Sequence, residues 1–273
     1  MSAWTRVGGT IALLVLTMVG FTVAAVVGGM LELSLIAVTG LGWVLVLPFM
    51  LGFMAWMGLP LIPGPRGWFA GAGAGAAVLL VPAVLARVLG GYEALDTSGQ
   101  PTGGSAFPSI VPVALALVVA AAGEEVLFRW ALVRLWRPAL GAVGAVVLTA
   151  ALFMGVHVAN PGASVAGGVG VAIAGLLLGA VYVRTGSFWV VAGAHFGWNA
   201  AEALILGVPV SGIRLPALLR WEASTEGSWG RLLGGDFGPE EGLLFHGALA
   251  LALLVVVLWG QLSRTSGGSD SPA

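Results

Sequence analysis

The chain has 273 residues, of which 59% are hydrophobic and only 8% charged, where a soluble domain carries about 25% charge; this is the composition of an integral membrane protein. The absence of cysteine excludes a disulfide framework, thiolate chemistry and a Cys-ligated metal. Twelve acidic residues against eleven basic ones give a net charge of −1, which argues against a nucleic-acid partner and says nothing about a substrate.

Eight apolar segments are long enough to cross about 30 Å of hydrocarbon: 7–28, 32–58, 68–89, 109–133, 139–158, 164–183, 188–206 and 243–262. They predict one all-α, polytopic helical bundle over residues 1–273. Pro48 in the second segment predicts a kink or tilt. Gly71, Gly73 and Gly75 in the third predict a packing face where backbones approach closely. The first segment also admits a signal-peptide reading, with Arg6, an apolar run and Ala24-Ala25, but its length favours a retained span.

Two connections are long. Residues 90–108 are rich in Gly, Ser and Pro, with Tyr92, Glu93 and Asp96. Residues 207–242 hold Arg214, Arg220, Trp221, Trp229 and Arg231 together with Glu222, Glu226, Asp236, Glu240 and Glu241; an interfacial segment and a solvated loop fit this stretch equally. The tail from 263 to 273 is polar and reads as disordered. All eleven basic residues are arginine, and Arg6, Arg66, Arg134, Arg137, Arg184 and Arg264 fall on one side if the helices alternate. Arg214, Arg220 and Arg231 share one long acidic loop on the other side, with Arg87 near a helix end, so the short-loop arginines predict N-in, C-in.

Within the spans strongly polar side chains are few: Glu32 near a helix start, then Glu124, Glu125, Arg129, His157, His195, Asn199 and Glu202. Each charge at the centre of a membrane helix costs about 2.5–3.5 kcal/mol on insertion scales, so three within six residues mark a function. Glu125 and Arg129 are four apart and share a face, with the acid on the favourable N-terminal side. Glu124 is rotated by about 100° from Glu125 and points elsewhere. An unpaired carboxylate in a low-dielectric site holds its proton more tightly, which suits a general base. A structural ion-pair cluster is the competing account.

Phe153 and His157 lie at i, i+4 on the fifth segment, and His195 and Asn199 do so on the seventh. Two hydrogen-bond donors aimed one way fit a developing oxyanion, although either pair alone also fits helix–helix hydrogen bonding. Glu202, seven residues after His195, is expected to meet water at the helix end, and His246 to lie in the interface.

Glu124-Glu125-Val-Leu-Phe-Arg129 resembles the EExxxR motif of the CPBP family of intramembrane endopeptidases, which includes the CAAX prenyl proteases. Phe153-Met-Gly-Val-His157 resembles its FxxxH element, His195-Phe-Gly-Trp-Asn199 its HxxxN element, and Gly175 to Ser187 the stretch before the last motif. The resemblance covers roughly 108–206. It implies hydrolysis of a peptide bond in a membrane-associated protein or peptide substrate. Glu124 would activate water with help from His157, His195 and Asn199 would hold the oxyanion, and Glu125, Arg129 and Phe153 would support them. Zinc held by Glu124, His157 and His195 is the alternative to a metal-free site; there is no HExxH, and Asn199 is a poor zinc ligand. A non-catalytic scaffold or immunity protein of the same fold, and a proton-coupled transporter, are the rival functions; no internal repeat supports the transporter. The lysine-free, Arg/Gly/Ala-rich composition points to the inner membrane of a bacterium with a GC-rich genome.

Overall fold

The computed structural model describes residues 2–31, 35–60, 62–95, 107–224 and 226–265. Glu32 and Asp96 lie outside them, as does the tail beyond Thr265. Among the described residues the long helices are α1 (Ala3–Met30), α2 (Leu35–Trp56), α3 (Trp68–Val88), α4 (Phe107–Glu125), α5 (Arg134–His157), α6 (Val165–Thr185) and α7 (Phe188–Ala200). Between α7 and the last helix come β2 (Trp221–Ala223), a short α8 (Trp229–Leu233) and a 3-10 turn, Pro239–Glu241; α9 (Leu243–Thr265) closes the chain, and β1 (Tyr92–Ala94) follows α3. The result is an all-α membrane bundle of eight long helical segments, matching the eight read from hydropathy. Among the described residues five apolar stretches have the length and composition of a membrane span, one of them the 48-residue run Ile110–His157. Many large apolar side chains point outward, including Phe49, Phe69, Val143 and Leu251, as lipid-facing surfaces require.

Local chemistry sets the boundaries. Ser164 and Ser187 cap α6 and α7 by accepting from Gly167 N and Val190 N, and Gly186 ends α6 in the left-handed region at φ 64°. The helix of α2 continues through Pro48 to Trp56.

Two departures from the expected spans matter for the site. First, the break placed between 133 and 139 is absent: α4 runs through a π-helical stretch, Val126–Val133, directly into α5, and the non-helical residue is Gly141 (φ 69°, ψ 179°). The chain folds back there, because Phe128 meets Phe153 with ring centroids 5.1 Å apart, nearly equidistant from Gly141 in sequence. Glu124 lies 17 residues before Gly141 and His157 lies 16 after it. At 1.5 Å per residue that difference is about 1.5 Å in depth. The hydropathy boundaries would have separated the two by roughly 10 Å. Second, α7 also widens into a π-turn, Ala201–Leu206, just after His195 and Asn199. Such π-helical insertions occur often at functional sites.

Packing fixes α7. Gly71 and Gly75 of α3 face Gly193 and Gly197 of α7, and a Cβ at any of the four would overlap backbone atoms of Val190, Ala194, Trp68 or Ala72. The helices therefore approach at backbone contact, and α3 holds the helix that carries His195. The arginine-bearing connections gather at one end: Arg6 Nε donates to Leu135 O (3.1 Å), Arg134 Nε to Tyr182 Oη, and Ser187 Oγ to Arg66 O (3.4 Å). At the other end the two long connections pair, with Tyr92 opposite Ala223 and Ala94 opposite Trp221 in an antiparallel ribbon. Part of the 207–242 stretch folds onto the bundle as a cap: Leu233 and Phe237 are buried and Trp221 packs on Tyr92.

Candidate active site

A cavity of about 380 Å³ lies inside the bundle, walled by α2 to α7 and α9. Glu124, Phe153, His157, His195 and Asn199 all line it. Three segments read separately in the sequence are thus brought to one space.

The fourth helix divides its two acids as helical geometry requires. Glu125 is fully buried, and its Oε1 accepts from Arg129 Nη1 at 2.8 Å. Glu124 opens to the cavity, and its Oε2 has no hydrogen-bond partner. Arg129, only 1% exposed, reaches Gly175 O of α6 with Nη2 (3.2 Å) and lies over the Phe153 ring at 4.7 Å. It therefore ties α4 to both α5 and α6 through charge, hydrogen bond and cation–π contact.

The same Glu125 oxygen also meets His195 Nδ1, at 2.8 Å. Because a carboxylate can only accept, Nδ1 carries the proton. The ring is thereby oriented with Nε2 toward the cavity, 3.7 Å from Glu124 Oε2. This bridge was not visible in the sequence, where Glu125 has only Arg129 as an evident partner. His157 is fixed similarly: Nδ1 lies 2.7 Å from Phe153 O, so Nδ1 donates and Nε2 keeps its lone pair. Phe153 packs between the two histidines, 4.5 Å from the His157 ring and 5.9 Å edge-on from that of His195.

Asn160, Ser211 and Glu240 also line the cavity, and the sequence did not mark them as site residues. They come from connections, where no helical spacing announces them. Glu202 is not at water, as expected, but fully buried; the π-turn and the cap enclose it. His246 donates from Nε2 to Glu240 O (2.8 Å) and belongs to the same region.

Among the described residues no group of three or more His, Cys, Asp or Glu side chains is placed to hold a metal ion.

Residues 106–201 match the family described as Type II CAAX prenyl endopeptidase Rce1-like. The match spans all seven residues singled out from the three motifs. No curated protein and no solved structure matches the chain.

Proposed function

We propose, from the match of residues 106–201 to the Type II CAAX prenyl endopeptidase Rce1-like family, that the cavity hydrolyses a peptide bond of a membrane-associated protein or peptide. The observation that carries this is the opposed preparation of the two histidines. His157 presents a lone pair and His195 presents Nε2 beside an unbonded carboxylate. Glu124 takes a proton from water, assisted by His157, as the oxygen attacks the substrate carbonyl carbon. With His195 protonated, Glu124, Glu125, Arg129 and His195 sum to zero charge, and Nε2–H is available to the oxyanion together with the Asn199 amide. Collapse of the tetrahedral intermediate breaks the C–N bond, and Glu124 returns its proton to the leaving amine.

The cavity's end at Asn160, Ser211 and Glu240 is the end away from the arginine-bearing connections. If those arginines are cytoplasmic, as their distribution favours, this end of the cavity faces the opposite side of the membrane. Comparative membrane proteomics of wild type against Glu124→Gln tests the activity: an uncleaved precursor accumulates in the variant, and identical proteomes would overturn the proposal.

Asn199→Ala lowers kcat by about 10²–10³ with little change in KM, since it removes a donor used only in the transition state. An equal rise in KM would instead make Asn199 a ground-state binding residue. Water activation in this proposal is metal-free. Chelator-washed protein keeps its activity; loss of activity restored by stoichiometric zinc would establish the metal-dependent alternative.

A further inference from the structure

The general base sits between two neighbours that point other ways. At about 100° per residue, Gly123, Glu124 and Glu125 leave α4 in three directions. Glu125 is turned to Arg129 and His195, and Glu124 to the cavity. Gly123 is turned to α2, where the Trp43 indole covers it: a Cβ added at Gly123 would overlap Cγ, Cδ2 and Cε3 of that ring. Gly123 is ordinary α-helix, so glycine is needed there for the close approach alone. The chemistry above makes no use of this contact, and α2 lies outside the matched residues 106–201.

Trp43 is itself firmly held. It is 4% exposed, within the core that also holds Leu13 of α1 and Val126 and Phe128 of the π-helical stretch. Phe21 of α1 meets it edge-on, with ring centroids 5.2 Å apart and planes at 85°. Phe21 in turn lies against Gly42, where an added Cβ would stand 3.0 Å from its ring, and Val46 fills the space that a Cβ at Gly20 would need. Helices α1 and α2 are thus interlocked, and the indole is where the pair bears on α4. Indole Nε1 has no hydrogen-bond partner, so the ring acts by its face and not as a donor. One turn before Trp43, Thr39 lines the cavity, and a Cβ added at Gly40 would lie 3.6 Å from the Cβ of Ala116 in α4. Helix α2 therefore follows α4 along the cavity wall up to Gly123.

The place of the contact gives it consequence. Helix α4 ends at Glu125 and the π-helical stretch begins at Val126. Wider π-helical bonding shifts the faces of a helix beyond it relative to those before it. The packing of Val126 to Val133 does not by itself set the rotation of Glu124, which needs contacts of its own. Glu125 supplies one through His195 of α7, and Gly123 supplies the other through Trp43 of α2.

We infer that Trp43 is a positioning residue for the reaction: its indole face, seated on the α4 backbone at Gly123, fixes the rotation at which Glu124 enters the cavity. The seat belongs to the bundle; its consequence for catalysis rests on the proteolytic function proposed above.

The test is a size exchange across the seat, in full-length protein in nanodiscs. Gly123→Ala pushes α4 off the ring and lowers kcat by about 10–100-fold with KM unchanged, because misplacing a reacting group by about 1 Å costs up to about 10²-fold. Trp43→Leu alone lowers kcat in the same way, since α4 loses its stop. The two combined recover most of the lost kcat, because the added methyl group fills space that the smaller side chain leaves. Gly91 supplies the control: it lies against the Trp229 ring in the cap, where an added Cβ would also overlap the indole, and neither residue lines the cavity. Gly91→Ala lowers the thermal midpoint and leaves kcat as in wild type. If Gly123→Ala loses no more kcat than Gly91→Ala at an equal loss of thermal midpoint, the indole only packs and the positioning role is overturned. A double variant no better than the single ones overturns it too.

A second measurement needs no cleavage. The chain has no cysteine, so Glu124→Cys introduces a single thiol at the cavity. A small methanethiosulfonate reagent labels that thiol several-fold more slowly when Gly123→Ala is added, and at its original rate when Trp43→Leu is added as well. Unchanged labelling in both backgrounds overturns the inference. Labelling that shifts as expected, in a protein that cleaves no precursor, counts against the protease alone. Should Gly123→Ala fail to fold, Trp43→Leu alone, read by kcat and by labelling, still decides.

Discussion

Replacing Glu124 by glutamine abolishes cleavage, by about a thousandfold or more, while leaving the protein as stable as wild type. The size follows from removing the general base, an effect of about 10²–10⁴, together with the charge that faces His195. The intact stability follows from the local structure. Glu124 Oε2 has no hydrogen-bond partner, and its nearest cation is His195 Nε2 at 3.7 Å. Glutamine fills the same volume, so no packing is lost and a partly desolvated charge is removed. Precursor accumulation by membrane proteomics and a thermal midpoint in detergent are the two readouts. Full cleavage by the variant would mean that Glu124 is not the base. Loss of cleavage with an equal loss of stability would mean that it is structural.

Glu125→Gln behaves in the opposite way and loses both. One oxygen of this fully buried acid serves Arg129 and His195 at 2.8 Å each. Neutralising it leaves the Arg129 guanidinium, 1% exposed, without its counter-charge. Breaking a buried ion pair from one side costs about 3–5 kcal/mol, and the His195 ring loses the bond that orients it. Arg129→Met alone is similarly destabilising, since Glu125 is then the stranded charge. Combining Glu125→Leu with Arg129→Met removes both charges and recovers much of the stability, because an apolar pair of similar volume can replace a buried ion pair. Activity does not return, because His195 is still unheld. A thermal midpoint series and cleavage rates for the two single variants and the double variant separate these effects. A Glu125→Gln protein of wild-type stability without activity would instead place Glu125 among the groups that touch substrate.

Much of this was legible in the chain. The eight segments are visible because hydropathy is a local property and the bilayer fixes the length an apolar helix must have. The separation of Glu124 from Glu125 follows from the 3.6-residue turn, and the structure keeps it, with one acid on Arg129 and the other in the cavity. His157, His195 and Asn199 stood out because polar groups are rare in such a background, and the cavity brings all three together.

What the sequence could not decide depends on contacts between residues far apart in it. Arg134 to Pro138 read as a connection because arginines and a proline interrupt the hydropathy, yet helix persists to a single glycine at 141, since only there does the backbone leave helical φ/ψ. That shift of a few residues sets the depth of His157 against Glu124. His195 is 70 residues from Glu125, and no periodicity predicts their bond. Glu202 and Glu240 each look like surface acids, one at a helix end and one in a polar loop. Folding the cap onto α7 buries both. The sequence by itself determined which polar side chains the membrane bundle contains and which helix carries each. Tertiary structure alone decided which of them face one another, because partner and depth depend on where the chain turns and what packs across the turn.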